Sequence, residues 1–275
     1  MASRTERLNP GPLGASNLAP PGARSKYPTR NMVSMSGQDR LVAVADVLGF
    51  TQMVLSNPLE WVLRNPVDFI RRCLRHSAHQ SGWPGDYSPT LEETRSQRRV
   101  GVAWFSDTIV LYALSDSNEH CEAVVETAAW LVFETFHGRH TPLRVGIDYD
   151  EFHADDENNI FVGRALIGAY HLEQAQDWVG GAFTNRASDR VTGIGVDDFI
   201  TAYSVPTKSL LPSPMALKWF AIPHQPFQLR FEPPGLELAS APSVEVSESI
   251  RRKWQNTKEF HRTACEVCVA NRRGA

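Results

Sequence analysis

Short apolar segments alternate along this chain with longer segments of helical periodicity. Residues 41–47 are almost continuously apolar, which is typical of a buried strand. Residues 100–112 are also mainly apolar and carry Asp107 near their middle, which predicts two strands of a hairpin with this aspartate at the bend. Further strands are predicted at 143–149, at 160–163, near 178–183, at 199–205 and at 216–222.

The segments between these strands have the spacing of helices. The predicted helices cover 51–64, 68–78, 115–136, 163–176, 185–191 and 247–262, and the last of them continues to the C-terminus. Apolar positions in the 115–136 segment recur on one face, which we expect to pack against the sheet. The central order of elements is β-α-β-β-α-β. It predicts an α+β fold of ferredoxin-like arrangement, with a central, mainly antiparallel sheet flanked by helices.

Composition divides the chain into three parts and limits its partners. Residues 1–39 are rich in proline, glycine and serine and are predicted to be a disordered extension, 40–222 form the domain, and 223–275 form a C-terminal extension with a helix. The net charge of -3 gives no reason to expect nucleic acid or a membrane as a partner, and the absence of a long apolar run favours a cytoplasmic location. The four cysteines are too scattered for a disulfide framework.

Two aspartates stand out because each ends an apolar strand that gains nothing from a charge. Asp46 precedes a Gly-centred turn that opens a helix, and Asp107 lies in the hairpin. Taken singly, the first is explained as a helix N-cap and the second as a turn former. Together they favour a site for a hard divalent cation, with the amides of Gly49, Phe50 and Thr51 facing a phosphate at the helix start.

The stretches around the two aspartates, together with residues 143–147 and 162–173, resemble the class III nucleotide cyclases over roughly 41–203. The resemblance implies the class III cyclase fold and a reaction in which the ribose 3′ oxygen attacks the α-phosphorus while pyrophosphate leaves. It also implies two Mn²⁺ or Mg²⁺ ions, held by Asp46, the Val47 carbonyl and Asp107. The ions would lower the pKa of the 3′-hydroxyl and neutralise the leaving group.

Several positions depart from the pattern of the purine cyclases. Ala103 and Ile160 stand where two base-reading polar residues are usual, and neither side chain can make a polar contact to a purine edge. Ile167 and His171 stand where an Asn and an Arg usually act on the ribose and on the transition-state charge. His171 could replace the Arg only when protonated.

The helix at 163–180 and the Asp107 hairpin are similar to the bacterial pyrimidine cyclases of the Pycsar antiphage systems. This resemblance implies a homodimer with sites at the interface, UTP or CTP as substrate, and an effector that responds to cyclic UMP or cyclic CMP. Arg144, Arg164 and His171 are then the candidate catalytic residues, and Gly49, Phe50, Thr51, Ala103 and Ile160 line the substrate site. Trp104 or Tyr170 could stack on the base.

Alternatives to these assignments stay open at the level of sequence. Arg144 is also explained by an ion pair with the acidic stretch 148–157, which is predicted to be a loop. Lys218 is a weaker phosphate candidate. Two alternatives to the pyrimidine cyclase stay open for the chain as a whole. One is a purine nucleotide cyclase with unusual base contacts, and the other is a catalytically inactive nucleotide-binding regulatory module.

Overall fold

The computed structural model describes residues 37–80, 99–139, 141–208, 212–220 and 248–273. Eight strands lie within these ranges: β1 Gln38–Val47, β2 Val100–Phe105, β3 Thr108–Ala113, β4 Leu143–Asp155, β5 Ile160–Gly163, β6 Gly180–Phe183, β7 Ile200–Ala202 and β8 Met215–Leu217. They form one sheet in the spatial order β2-β3-β1-β4-β6-β8-β7, and β5 pairs with the second half of β4.

The first four strands of the sheet have the ferredoxin-like order, because β1 lies between β3 and β4 and β2 lies outside β3. These pairings are antiparallel, whereas β6 joins β4 in parallel. The predicted α+β class, with a mainly antiparallel sheet flanked by helices, is confirmed. β1 begins at Gln38, so the segment predicted to be disordered is too long by two residues, and its positions 1–36 lie outside the described residues, as does the loop predicted at 81–97.

The helices are α1 Phe50–Ser56, α2 Leu59–Val62, a π-helical turn Leu63–Val67, α3 Asp68–Gln80, α4 Asn118–Arg139, α5 Arg164–Ala175, α6 Asn185–Val191 and α7 Glu248–Arg273. The single helix predicted at 51–64 is wrong, since Asn57 has extended backbone angles and Pro58 follows it. None of the described helices is long and apolar enough to cross a membrane.

Alternate residues of β1 face two helix layers, which explains why the strand is apolar throughout. One set lies in the main core with α4: Leu41, Ala43, Ala45 and Val47. The other set, Val42 and Val44, lies in a second core that includes Ala165 and Ala169 of α5. Gly146 of β4 permits this close packing, because a Cβ atom there would lie 2.1 Å from the Ala169 carbonyl oxygen.

The acidic stretch predicted as a loop at 148–157 is largely part of β4. Asp148 is fully buried; it accepts hydrogen bonds from the Thr184 hydroxyl at 2.5 Å and from Arg186 Nη2 at 2.9 Å. Asp150 forms ion pairs with Arg186 and Arg164. The prediction of a loop was wrong because it rested on the density of acidic residues in this stretch. In the structure, side chains far along the chain pair with these carboxylates, and the strand therefore continues.

The C-terminal helix α7 belongs to the packed structure. Phe260 is fully buried, with its ring centroid 4.6 Å from that of Trp178 and 4.7 Å from that of Tyr203. The Thr257 hydroxyl accepts a hydrogen bond of 2.9 Å from the Val179 amide. The helix therefore covers the segment that connects α5 with β6. It runs to Arg273, which confirms the predicted continuation of this helix beyond 262.

We expect Phe260→Ala to lower the free energy of unfolding by about 3–5 kcal/mol, because it leaves a cavity among aromatic rings. Chemical denaturation followed by circular dichroism measures the loss. Gln255→Ala, at an exposed position of the same helix, is the control and should change stability by less than about 0.5 kcal/mol. Equal, small effects of both substitutions would show that α7 is not part of the cooperative structure.

Candidate functional site

The two aspartates singled out in the sequence meet at one end of the sheet. Asp46 is the partner of Thr108 in the β1–β3 ladder, and the amide of Val47 donates a 3.0 Å hydrogen bond to the Asp107 carbonyl oxygen. Asp107 lies in the tight turn between β2 and β3. The turn therefore holds the second aspartate beside the end of the strand that carries the first.

Arg144 lies directly opposite Asp46 in the β1–β4 ladder and is buried. Its Nε donates to Glu173 Oε1 at 2.5 Å, its Nη2 lies 3.5 Å from Asp46 Oδ2, and its Nη1 lies 3.4 Å from the Gln176 carbonyl oxygen. The alternative ion pair of Arg144 with the 148–157 stretch is wrong, because both of its carboxylate partners come from β1 and α5.

Burial and neighbouring charges set the protonation of the two carboxyl groups around Arg144. Burial raises the pKa of Asp46, Asp107 raises it further, and the Arg144 guanidinium opposes both. Burial also raises the pKa of Glu173, again against the effect of Arg144. The Arg144 guanidinium thus pairs with two partly desolvated carboxyl groups, those of Asp46 and Glu173. Because the pKa of Asp46 is raised in spite of this pairing, its negative charge is not fully compensated within the chain.

The aspartate pair has the donor chemistry of a hard divalent cation. Carboxylate oxygens suit Mg²⁺ and Mn²⁺, and a cation would stabilise the ionised form of Asp46 beside Asp107. Within the described ranges, no cluster of three or more His, Cys, Asp or Glu side chains has the arrangement of a metal site. The pair therefore fits a metal that takes its remaining ligands from the backbone, water or substrate, and the Val47 carbonyl stays a predicted ligand.

The turn after β1 has the geometry that its glycine predicts. Gly49 has φ of +83°, a left-handed value that favours glycine, and α1 begins at the next residue. Phe50 is buried and anchors the start of α1, whereas Thr51 is exposed. The phosphate contact of the Gly49, Phe50 and Thr51 amides stays a prediction.

Two of the three predicted catalytic residues lie on the exposed face of α5, away from the Arg144 network. Arg164 is 69% exposed and forms ion pairs with Asp150 and Glu151 of β4. His171 is exposed beside Tyr170, with the ring centroids 6.0 Å apart. The described contacts of Arg164 and His171 do not include Asp46 or Asp107.

The predicted base-contacting positions differ in environment. Ala103 of β2 is buried in the second core, and Ile160 is 44% exposed at the start of β5. The indole nitrogen of Trp104 donates to the Ser106 carbonyl oxygen at 2.8 Å, which fixes that ring against its own hairpin. Tyr170 remains 48% exposed and available for stacking. The predicted phosphate residue Lys218 donates to the Asp197 carbonyl oxygen at 3.1 Å.

Glu173 is the site residue that sequence reasoning missed. It is 1% exposed and holds Arg144 next to Asp46. The signal was its position on α5, four residues after Ala169, on the same helix face as the small residues that pack against the sheet. A charged residue on a buried helix face requires a partner of opposite charge. Arg144, a basic residue within the apolar strand β4, was the candidate for that partner.

No protein-family model and no curated protein sequence matches this chain. Similar solved structures include the catalytic core of a rhodopsin-guanylyl cyclase with converted specificity in complex with ATPαS, with a TM-score of 0.46, 12% identity and coverage of 66% of this chain and 94% of that chain. The guanylyl cyclase Cya2 superposes with a TM-score of 0.44 at 14% identity, and the match covers 66% of this chain and 93% of that chain. The adenylate/guanylate cyclase/hydrolase from Silicibacter pomeroyi superposes with a TM-score of 0.45 at 13% identity, and the match covers 66% of this chain and 95% of that chain.

These similarities are low in both sequence and superposition, and they carry no argument about what this chain does. The features of this chain that bear on its chemistry are its fold and the network of Asp46, Asp107, Arg144 and Glu173.

We expect Glu173→Ala to cost about 3–5 kcal/mol of unfolding free energy, because it leaves the buried guanidinium of Arg144 without its nearest carboxylate. Urea denaturation measures this loss. The matched control is Glu119→Ala, which removes an exposed ion pair with Arg99 and should cost less than about 1 kcal/mol. A loss at Glu173 no larger than that of the control would contradict the assigned role of the buried pair.

Proposed function

We propose that this protein is a nucleotide cyclase that converts a nucleoside triphosphate into the 3′,5′-cyclic nucleotide and pyrophosphate. The observation that carries the proposal is the meeting of Asp46 and Asp107 at one end of a ferredoxin-like sheet, next to a buried arginine. The class III cyclase motifs identified in the sequence support it, because the pieces of that motif that carry the two aspartates and Arg144 come together in space.

Each residue of the network has a defined task in this reaction. Divalent ions bound at the site would lower the pKa of the ribose 3′-hydroxyl and neutralise the leaving pyrophosphate. Asp46 and Asp107 hold these ions, and Arg144 places a fixed positive charge beside them. Glu173 fixes the orientation of Arg144, so the charge is in position before the substrate binds.

We further propose a pyrimidine substrate, UTP in preference to CTP, and Mn²⁺ or Mg²⁺ as the metal. Ala103 and Ile160 support this because they offer no polar side-chain contact to a purine edge. The preference for UTP rests on the resemblance to the pyrimidine cyclases of antiphage systems. The same resemblance supports a role in bacterial defence, in which the cyclic nucleotide activates an effector.

The exposed apolar side chains of β5 and α5 support a homodimer. Val162 is 57% exposed, Ile167 is 55% exposed and Tyr170 is 48% exposed. A second copy covering this surface would remove these side chains from water and could bring Arg164 and His171 of one chain to the aspartates of the other.

Purified protein incubated with Mn²⁺ and each of the four nucleoside triphosphates should yield cyclic UMP, or cyclic CMP, as identified by mass. Asp46→Asn and Asp107→Asn should each lower turnover by about 100-fold or more, because each removes a charged metal ligand. Asp198→Asn, at an exposed position, is the control and should leave turnover unchanged.

Each other outcome of this assay has a definite meaning. Cyclic AMP or cyclic GMP as the product would replace the pyrimidine proposal with the purine alternative. No product from any nucleotide, with the fold intact and nucleotide binding retained, would favour the inactive regulatory module.

Ile167→Asp should convert the dimer to a monomer in size-exclusion chromatography with light scattering, because it places a charge in the proposed interface. Turnover should fall in parallel. Leu63→Asp is the matched control, since Leu63 is 52% exposed on the π-helical turn. A monomeric wild type, or a dimer that tolerates the Ile167 substitution, would contradict the proposed interface.

A further inference from the structure

Gln176 follows the last residue of α5 and is fully buried, although its side chain is polar. Its Nε2 donates to the Val145 carbonyl oxygen at 2.9 Å and to the Leu172 carbonyl oxygen at 3.3 Å. Its Oε1 accepts a hydrogen bond of 2.6 Å from the indole nitrogen of Trp178, which is also fully buried. The function proposed above gives neither Gln176 nor Trp178 a task.

The partners of the Gln176 side chain leave its amide one orientation. The Trp178 indole nitrogen can only donate and a carbonyl oxygen can only accept, so the amide oxygen faces Trp178 and the amide nitrogen faces the two carbonyl groups. The oxygen and the nitrogen are thus both paired, as burial of a polar group requires. The side chain is therefore fixed, and it ties the end of α5 to β4 at the residue next to Arg144.

The main chain of Gln176 contacts Arg144 itself. The Gln176 carbonyl oxygen lies 3.4 Å from Arg144 Nη1, and Glu173 accepts from Arg144 Nε at 2.5 Å. Contacts to two different nitrogens of a planar guanidinium fix both its position and the direction of its plane. In this arrangement Nη2 lies 3.5 Å from Asp46 Oδ2. The 3.4 Å contact is longer than a usual hydrogen bond, so a small displacement of the Gln176 backbone would break it.

Helix α7 holds the main chain of the segment that follows Gln176. Asn256 Nδ2 donates to the Asp177 carbonyl oxygen at 2.8 Å. The Val179 amide donates to the Thr257 hydroxyl at 2.9 Å. These two bonds come from adjacent residues of the helix and bind the chain on both sides of position 178. The helix therefore sets where the backbone of this segment lies.

Aromatic packing holds the side chain of Trp178. Its ring meets Phe260 of α7 edge to face, with 4.6 Å between the centroids, and it stacks on Tyr203 at 5.7 Å. A fully buried ring packed against two others has little room to turn, so its N–H stays directed at Gln176. A continuous series of contacts thus runs from α7 through Trp178 and Gln176 to Arg144.

We infer that Gln176 and Trp178 are positioning residues for Arg144, and that α7 holds them in place. The inference rests on the proposed function for the reaction that Arg144 serves, but the restraint of the guanidinium does not depend on turnover. Because Arg144 acts as a preorganised charge, a shift of its guanidinium slows the chemical step more than it weakens substrate binding. Helix α7, which lies outside the part of the chain that resembles the cyclases, thereby affects turnover.

Trp178→Phe removes one N–H donor and keeps an aromatic ring against Phe260. We expect kcat of the cyclase reaction to fall about tenfold and KM to stay within about threefold. Trp254→Phe is the matched control, since Trp254 is a partly buried ring of α7 that packs on Phe136 with 5.8 Å between the centroids. It should leave kcat within about twofold of the wild type. Equal losses of kcat in both variants, or a loss confined to KM, would overturn the inference.

A double-mutant cycle tests whether Trp178 acts through Gln176. Gln176→Met keeps the length of the side chain and removes its hydrogen bonds, so kcat should fall at least as much as in Trp178→Phe. Adding Trp178→Phe to Gln176→Met should lower kcat by less than about twofold more, because the bond that it removes is already absent. Losses that multiply would show that the two residues act independently, against the inference.

The Thr257 hydroxyl provides a test of α7 at a distance from the site. Thr257→Val removes the acceptor for the Val179 amide and keeps the branched shape of the side chain, and kcat should fall about threefold. Thr257→Ser keeps the hydroxyl and should keep kcat within about twofold of the wild type. Full activity of Thr257→Val would overturn the role assigned to α7.

Hydrogen exchange of the Arg144 Nε–H, followed by NMR well below the urea midpoint of each variant, tests the restraint without turnover. Exchange should be about tenfold faster in Trp178→Phe than in the wild type and unchanged in Trp254→Phe. Unchanged exchange in Trp178→Phe would overturn the inference even if cyclic nucleotide is formed. Faster exchange in Trp178→Phe, when the wild type forms no cyclic nucleotide, would retain the positioning of Arg144 and overturn the cyclase proposal.

Discussion

The buried contact between Arg144 and Glu173 is the constraint on which the site depends. A guanidinium in an apolar strand requires a carboxylate, and α5 supplies one only if it packs closely on β4. Gly146 permits that approach by lacking a side chain where the helix backbone comes near. Register, helix packing and the charge beside Asp46 are therefore linked, and disturbing one disturbs the others.

Much of the fold could be predicted from the sequence because the apolar runs were clear. The strand carrying Asp46, the Asp107 hairpin and the helix packed on the sheet follow from periodicity alone. The extent of β4 could not be predicted. Asp148 begins an acidic stretch whose composition is typical of a loop, and its partner Arg186 is 38 residues further along the chain. Local composition does not reveal a charge that is satisfied by a distant partner.

The site shows the same division between local and long-range information. The two aspartates could be predicted because each breaks the apolar pattern of its own strand. Glu173 gave a weaker signal, a charge on a helix face otherwise made of small residues.

The position of α7 has a consequence for how the protein is made. Asp46 lies in the first described strand, and Phe260 anchors the last described helix in the core. During synthesis on the ribosome, the early strands emerge long before α7, so the core around Phe260 cannot be completed until α7 has left the exit tunnel. A truncated translation product that lacks α7 would leave Trp178 and Tyr203 without their buried contact to Phe260.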